Sequence, residues 1–354
     1  VIGFLSPLRY YRNTYNEKYL LDYLDMINKE VSVLCVEPWI ADFAAYNLWS
    51  EPLGILAVAS ALQAAGARAA YVDCLRSAVR PNPAPKEDGR GKYLRTEIEK
   101  PAPLAFVPRR FARYGMDEDE FERALRETGA VDAVLVASHM TYWYPGVREA
   151  VKLVKRVLGK GVPVVLGGAY AALCPSHARR VSGADAVWTG GLSPGLFRLL
   201  ERLSGKSFDR IPELLDFPRR PAPLHALHAE RLPARGRYAA VLTSMGCPFR
   251  CAYCASALLC PEFGRRDIPS VVEEIGSCVR DLGVRNVAFY DDAFLFEAER
   301  HALPLLEAAA SIEPHPSFHL PNGIHARFVT PKVARALRGA GVKTVRIGLE
   351  TSDD

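Results

Sequence analysis

From residue 31 onward, short runs rich in β-branched and aliphatic residues alternate with stretches whose apolar residues recur at helical spacing. A strand buried on both faces reads as a continuous apolar run, and such runs separated by helices build a parallel sheet covered on both sides. The runs fall at residues 31–38 (VSVLCVEP), 67–75, 132–140, 162–170 and 184–191. Helical patterns fall between and after them, at 52–66, 116–129, 144–161, 175–183 and 193–205. In the pattern at 144–161, Val147, Val151, Val154 and Leu158 predict one buried stripe. Residues 30–205 are therefore expected to form a Rossmann-like, doubly wound α/β domain, which takes ligands at the carboxyl ends of its strands.

A second series of the same kind closes the chain. Residues 206–236 carry five prolines and no long apolar period, and read as an extended connector. His225 and His228 lie in it with no acidic or cysteine neighbour close in sequence, and read as linker residues. An apolar run then precedes Gly246, followed by a helix at 270–283, a strand at 284–292, a helix at 297–311, a strand at 317–327, a helix at 331–341 and a strand at 342–351. This is the repetition of a β/α barrel, expected over residues 237–354, whose polar strand-end residues share one rim. Residues 1–29 form an N-terminal extension with a helical pattern at 17–26 and no recognisable chemistry. The start at Val1 and the stop at Asp354 within a strand-helix series read as a piece of a longer product.

With 354 residues, 49% apolar and 24% charged, the chain has enough apolar side chains for two buried cores. The net charge of +5 is local: residues 76–113 hold ten Lys and Arg against four Asp and Glu. This stretch lies in a Pro- and Gly-punctuated insertion, residues 76–115, too long for an ordinary strand-helix loop. It is a candidate lid or binding element, or else a solvated or disordered basic loop. A basic patch also suits phosphates, although nothing further points to a nucleic acid. Eight cysteines without regular pairing, no apolar leader and no apolar run of eighteen residues predict a reducing, cytoplasmic setting and no membrane span.

Three of those cysteines, Cys247, Cys251 and Cys254 in CPFRCAYC, fall within eight residues directly after a predicted strand. Soft thiolates so placed select an iron-sulfur cluster or zinc. A structural zinc site needs four closed ligands, for which Cys260 is the nearby candidate, whereas three sulfurs on a four-iron cluster leave one iron open to a chelating small molecule. In the first half, Gly167-Gly168 and Gly190-Gly191 end two strands, where they permit close approach of a ligand or make tight turns. Neither G-x-G-x-x-G nor a P-loop sequence is present.

The spacing of Cys247, Cys251 and Cys254 resembles the cluster motif of the radical S-adenosylmethionine (SAM) superfamily. That resemblance implies a 4Fe-4S cluster on these cysteines, with SAM chelated to the open iron. It also implies Tyr253 beside the adenine, Asp291 and Asp292 near the SAM amino group, and Arg327, Glu350 and Thr351 in further contact with SAM. Asn322 and His325 are strand-end candidates for SAM or substrate. Of the family's six-stranded partial barrel only four strands are expected here, so the barrel is incomplete at its C-terminal end.

A Rossmann-like domain ahead of this motif resembles the cobalamin-dependent members of the superfamily, which implies cobalamin near Ser138, His139, Gly167, Gly168, Gly190 and Gly191. The D-x-H-x-x-G motif that supplies a histidine to cobalt is missing. The implied chemistry is reductive cleavage of SAM to a 5′-deoxyadenosyl radical and, with cobalamin, transfer of a methyl group to an unactivated carbon or phosphorus. A flavodoxin or ferredoxin would donate the electron, and the substrate is an unidentified small molecule or peptide. The alternatives are a radical rearrangement or ring closure without methyl transfer, and a non-catalytic iron-sulfur or zinc-binding protein.

Overall fold

The computed structural model of the chain describes residues 30–212 and 222–348. The predicted helix at 17–26 and the residues Glu350 and Thr351 lie outside them. The described residues divide into two units, one of residues 30–44, 54–81 and 94–212, the other of residues 45–53, 82–93 and 222–348. Two segments that interrupt the first unit in sequence thus belong to the second, which contiguous boundaries did not anticipate.

In the first unit the strands Ser32–Glu37, Arg68–Asp73, Ala133–Val136, Val164–Leu166 and Ala186–Val187 form one wholly parallel sheet. Numbered along the chain, their spatial order is 2-1-3-4-5. All six residues of Ser32–Glu37 are buried, as a central strand between two helical layers requires. The helix Tyr144–Leu158 buries Val147, Val151 and Val154, the stripe expected from its period. Strands end earlier than the apolar runs predict: Val164–Leu166 stops because Gly168 adopts φ +98 and the helix Ala169–Leu173 begins directly after it.

Part of the basic insertion is ordered in this unit. Arg95–Glu97 and Ala112–Tyr114 pair antiparallel in a small sheet completed by Ile40–Asp42. Its cations meet carboxylates, among them Arg80 with Asp117 and Arg113 with Glu118. Three of its cations, Arg76, Arg80 and Arg113, thus pair with carboxylates that lie outside the segment in sequence.

In the second unit the strands Tyr238–Val241, Asn286–Phe289, Ser317–Ile324 and Val342–Ile347 pair in parallel in chain order. The connecting helices, Ile268–Leu282, Ala302–Ala309 and Pro331–Gly339, cover one face of the sheet. Asp267 and Thr330 cap two of them, accepting from the amides of Ser270 and Val333. Phe289 and Phe318 stack 5.4 Å apart at the centre of that core. Alternate residues face the other way, where Tyr238 and Ala288 pack on Trp49, and Trp49 stacks on His319 at 4.2 Å. Burial lowers the pKa of His319 to about 4, so the ring is neutral against the indole. Residues 45–53 thus floor the concave side of the half-barrel.

The stretch 206–236 is not a plain connector. His225–Ala229 is helical, and His225 and His228 are buried. His225 stands between two carboxylates, with Nδ1 2.8 Å from Glu51 and Nε2 3.0 Å from Glu274. Glu274 continues to Arg266 at 2.5 Å. Burial alone would lower the His225 pKa, but the flanking carboxylates raise it to about 10. Buried charges persist when paired on every side, which this alternation achieves.

Because the folded pKa exceeds the unfolded value of about 6.5, this stabilisation is complete below pH 6.5 and is lost as pH rises through about 10. His225→Gln should lower the unfolding free energy at pH 7 by about 3–5 kcal/mol, the cost of leaving buried charge unpaired. The difference from wild type, followed by chemical denaturation, should shrink as pH approaches 10. A constant difference over that range would show that the ring is not protonated.

Candidate functional site

The cysteine loop begins where the strand Tyr238–Val241 leaves the sheet. Its base is closed by Ser244–Met245 pairing antiparallel with Gly264–Arg265, and by the Arg266 amide donating to the Thr243 carbonyl at 2.9 Å. Gly246 makes the turn into the loop at φ +78, where an added Cβ would stand 2.5 Å from the Glu262 carbonyl oxygen. Only glycine fits there.

Beyond this turn Cys247 is half-buried while Cys251 and Cys254 are exposed, and all three are free thiols. Backbone amides point at two of the sulfurs: the Phe249 amide hydrogen-bonds Cys247, and the Ser256 amide lies 3.4 Å from Cys254 Sγ. Burial raises the Cys247 pKa, and the charges of Asp292, Cys254 and Cys251 raise it further, against the Phe249 amide. The three thiols and Asp292 therefore share one electrostatic neighbourhood. Among the described residues no three His, Cys, Asp or Glu side chains are drawn together as a closed metal cage. Cys254 Sγ donates to the Ser256 hydroxyl oxygen at 3.3 Å, and Cys260 Sγ to the Glu262 carbonyl at 3.4 Å.

Parallel pairing places the ends of the other strands on the same rim. Asp291 and Asp292 follow Asn286–Phe289 but have different surroundings. Asp292 is exposed, and its pKa is raised by the protein atoms crowding its carboxylate, against a hydrogen bond from Ser256. Asp291 is 3% exposed and accepts hydrogen bonds from the amides and hydroxyls of Thr243 and Ser244. The expected contact of Asp291 with a bound amino group is not available, because the carboxylate is buried and its Oδ1 is taken by Thr243 and Ser244. Asn322 is likewise engaged, donating to the Tyr290 carbonyl at 2.8 Å.

Arg327 and His325 remain exposed at the end of Ser317–Ile324. The Arg327 guanidinium lies over the rings of Phe249 and Phe328, 4.7 and 4.9 Å from their centroids. Phe249 also packs on Phe296, and Phe296 on Phe263, so the loop rests on an aromatic platform. Tyr253 is 70% exposed at the tip. Sequence reasoning missed Phe263, Phe296 and Phe328, because isolated aromatics at loop starts carry no periodic signal.

The first unit has its own polar edge. Strand order 2-1-3-4-5 reverses between the strands Ser32–Glu37 and Ala133–Val136, and their carboxyl ends flank the crevice where such sheets take ligands. Glu37 and His139 stand there, with His139 Nε2 2.7 Å from Glu37. Burial disfavours the charged ring, but the Glu37 carboxylate, with Asp73 behind it, raises the His139 pKa above its ordinary value. Ser138 is buried, and its hydroxyl donates to the Gly167 carbonyl at 2.6 Å, so it joins two strand ends rather than facing a ligand. Gly190 accommodates the Trp188 ring, and Gly191 accepts from the Trp188 indole N–H at 2.5 Å. Gly167 is open, an added Cβ meeting only the Trp188 carbonyl oxygen at 4.0 Å.

Residues 241–354 match the family described as the Radical SAM superfamily. Over 235 residues the chain is 26% identical to the uncharacterized methyltransferase PH0819 of Pyrococcus horikoshii, covering 57% of this chain and 48% of that protein. Two solved structures of the radical S-adenosylmethionine methyltransferase TsrM from Kitasatospora setae resemble the fold. One, with tryptophan substrate and the SAM analogue aza-SAM, has a TM-score of 0.57 at 19% identity. The other, with cobalamin and a 4Fe-4S cluster, has a TM-score of 0.59 at 17% identity. Each covers 90% of this chain, and the chain covers 59% and 61% of theirs. The chain thus spans about half the length of the curated relative and about three fifths of these structures.

Gly168 supplies a test of the first unit's edge. At φ +98 an added Cβ would stand 2.2 Å from the Ser138 carbonyl oxygen. Gly168→Ala should destabilise the protein by at least about 2 kcal/mol, since strained backbone and steric overlap combine. Gly167→Ala should change stability by less than about 1 kcal/mol. Urea denaturation of the two variants checks the difference.

Proposed function

We propose, from the premise that residues 241–354 are a radical SAM domain, that the chain belongs to an enzyme that cleaves SAM reductively and methylates a substrate. The single observation that carries this reading is the loop of Cys247, Cys251 and Cys254. It offers three sulfurs and two supporting amides at a carboxyl-end rim. Three soft ligands, amide-supported and accessible, fit a 4Fe-4S cluster with one iron left for SAM. When bound, the cluster supplies the electron that opens the SAM sulfonium, and cobalamin supplies a carrier for the methyl group.

The chain's own residues would then bind and orient. Asp292 offers a carboxylate to the SAM ammonium beside Cys247, and Tyr253 an aromatic face to the adenine. Arg327, held against Phe249 and Phe328, presents a planar fork to a carboxylate. Glu350 and Thr351 are proposed for the same SAM site. Residues 45–53 close the lumen beneath with Trp49, which excludes water from below the rim.

Cobalamin is proposed for the switch-point edge of the first unit, where Gly167 leaves the backbone open and Gly190 and Gly191 are exposed. His139 would not ligate cobalt there. The D-x-H-x-x-G motif is missing, and His139 Nε2 is engaged by Glu37 at 2.7 Å. A flavodoxin or ferredoxin is proposed as electron donor, and the substrate as a small molecule or peptide. Among the described residues no helix is long and apolar enough to cross a membrane.

Anaerobic reconstitution of the full-length protein should give about four irons per chain. With SAM and reductant it should release 5′-deoxyadenosine or, where cobalamin carries the methyl group, S-adenosylhomocysteine. Cys247→Ala, Cys251→Ala and Cys254→Ala should each abolish SAM turnover, and Cys260→Ala should retain it. Stoichiometric zinc without iron absorbance, or equal dependence on Cys260, would overturn the reading. Cobalamin should copurify with the full-length protein and show no histidine-ligated cobalt by EPR; its absence would leave radical chemistry without methyl transfer.

A further inference from the structure

Resting on the radical SAM reading, we propose that Asp291 is a positioning residue: a buried carboxylate that fixes the base of the cysteine loop and thereby the place of the cluster, without touching SAM. Its Oδ1 accepts from the Ser244 amide and hydroxyl, each at 2.5 Å, and from the Thr243 hydroxyl at 2.7 Å. The Thr243 amide lies 3.2 and 3.1 Å from its two oxygens. Oδ1 thus takes three short bonds, while Oδ2 shares only the Thr243 amide. With 3% exposure there is no approach for an ammonium group.

The donors lie where they matter for the loop. Thr243 and Ser244 directly precede Met245 and Gly246, and Cys247 follows. Every donor on Asp291 therefore comes from the two residues that lead the chain out of the sheet toward the sulfurs. The brace extends one residue further. The Thr243 hydroxyl has one hydrogen, which goes to Asp291, so it accepts from His301 Nε2–H at 3.0 Å. This bond requires a hydrogen on His301 Nε2, and burial, helped by the Arg265 charge, lowers the His301 pKa.

On the opposite side of the same strand exit, Arg266 donates from its side chain to the Leu242 carbonyl at 3.1 Å, and Glu51 accepts from the Ala240 amide at 2.6 Å. The strand is thus pinned at Ala240, Leu242, Thr243 and Ser244. Asp291 holds the last two, nearest the cysteines. Charge-assisted hydrogen bonds at these lengths are the strong kind, and a position fixed by several of them transmits small shifts to whatever follows.

The test uses the full-length protein, reconstituted anaerobically, with the variants Asp291→Asn and Asp292→Asn. An amide at 291 keeps the shape but turns an amino group toward amide and hydroxyl donors. Asp291→Asn should keep about four irons, leave the KM for SAM within about twofold, lower kcat for SAM cleavage at least about tenfold, and shift the EPR g values of the reduced cluster before SAM is added. Asp292→Asn should raise the KM for SAM and leave the SAM-free spectrum unchanged.

Should Asp291→Asn not fold, Thr243→Val deletes one donor isosterically and should shift the SAM-free spectrum in the same way, while Thr243→Ser should restore it. Wild-type kcat and spectrum in Asp291→Asn, or an unshifted spectrum in Thr243→Val, would overturn the proposal. So would a defect confined to the KM for SAM, which would make Asp291 a SAM contact. Wild-type protein that takes up no iron would instead overturn the radical SAM reading, and this proposal with it.

Discussion

Parallel pairing is the constraint on which the second unit's chemistry depends. Four strands that run the same way must each return by a helix, so every turn that follows a strand falls on one edge and every turn that precedes one falls on the other. The cysteine loop, the paired aspartates and the His325–Arg327 turn are distant in sequence and become neighbours for this reason alone. The helices that enforce the returns are amphipathic and sit on one face, which leaves the concave face to be filled by something else. Trp49 and its neighbours fill it, and their buried φ of +63 at Trp49 marks a backbone held in place by its surroundings rather than by its own preference.

Charge buried without a partner would undo such an arrangement, and the second unit avoids this by alternation. Glu51, His225, Glu274 and Arg266 run as anion, cation, anion, cation, drawn from three separate stretches of chain. Each end of the series also meets the backbone of the strand that feeds the cysteine loop, Glu51 at Ala240 and Arg266 at Leu242. Fold stability and loop geometry are therefore served by the same residues. A pKa of about 10 for His225 keeps its ring charged between the two carboxylates near neutrality.

Features with a period or a fixed spacing were legible in the sequence. The five parallel strands, the helical stripe of Val147, Val151 and Val154, and the three cysteines on one strand-end loop follow from local pattern, and the structure places them accordingly. What stayed hidden depends on pairing across long separations. His225 looked like a linker residue because its partners lie 174 residues upstream and 49 downstream. The membership of residues 45–53 and 82–93 in the second unit had no local signal either. Gly190 read as a ligand-facing glycine, and the Trp188 ring lies where its Cβ would stand. Glycine reports that something comes close, and sequence does not say whether it is a ligand or an indole.

The two adjacent aspartates make the same point about direction. In an extended chain successive side chains leave on opposite sides, so two neighbouring carboxylates at a strand end do not share one environment. Asp291 turns inward and meets Thr243 and Ser244, while Asp292 turns outward toward Ser256 and the thiols. Burial raises both pKa values, opposed by the Thr243 and Ser244 donors at Asp291 and by the Ser256 hydrogen bond at Asp292. The doubled acid after Asn286–Phe289 therefore presents one buried and one exposed carboxylate. The order is set by which residue continues the buried face of the strand: Phe289 faces the core, Tyr290 the concave side, and Asp291 returns toward the core side. The inward position follows from that alternation and from no property of aspartate itself.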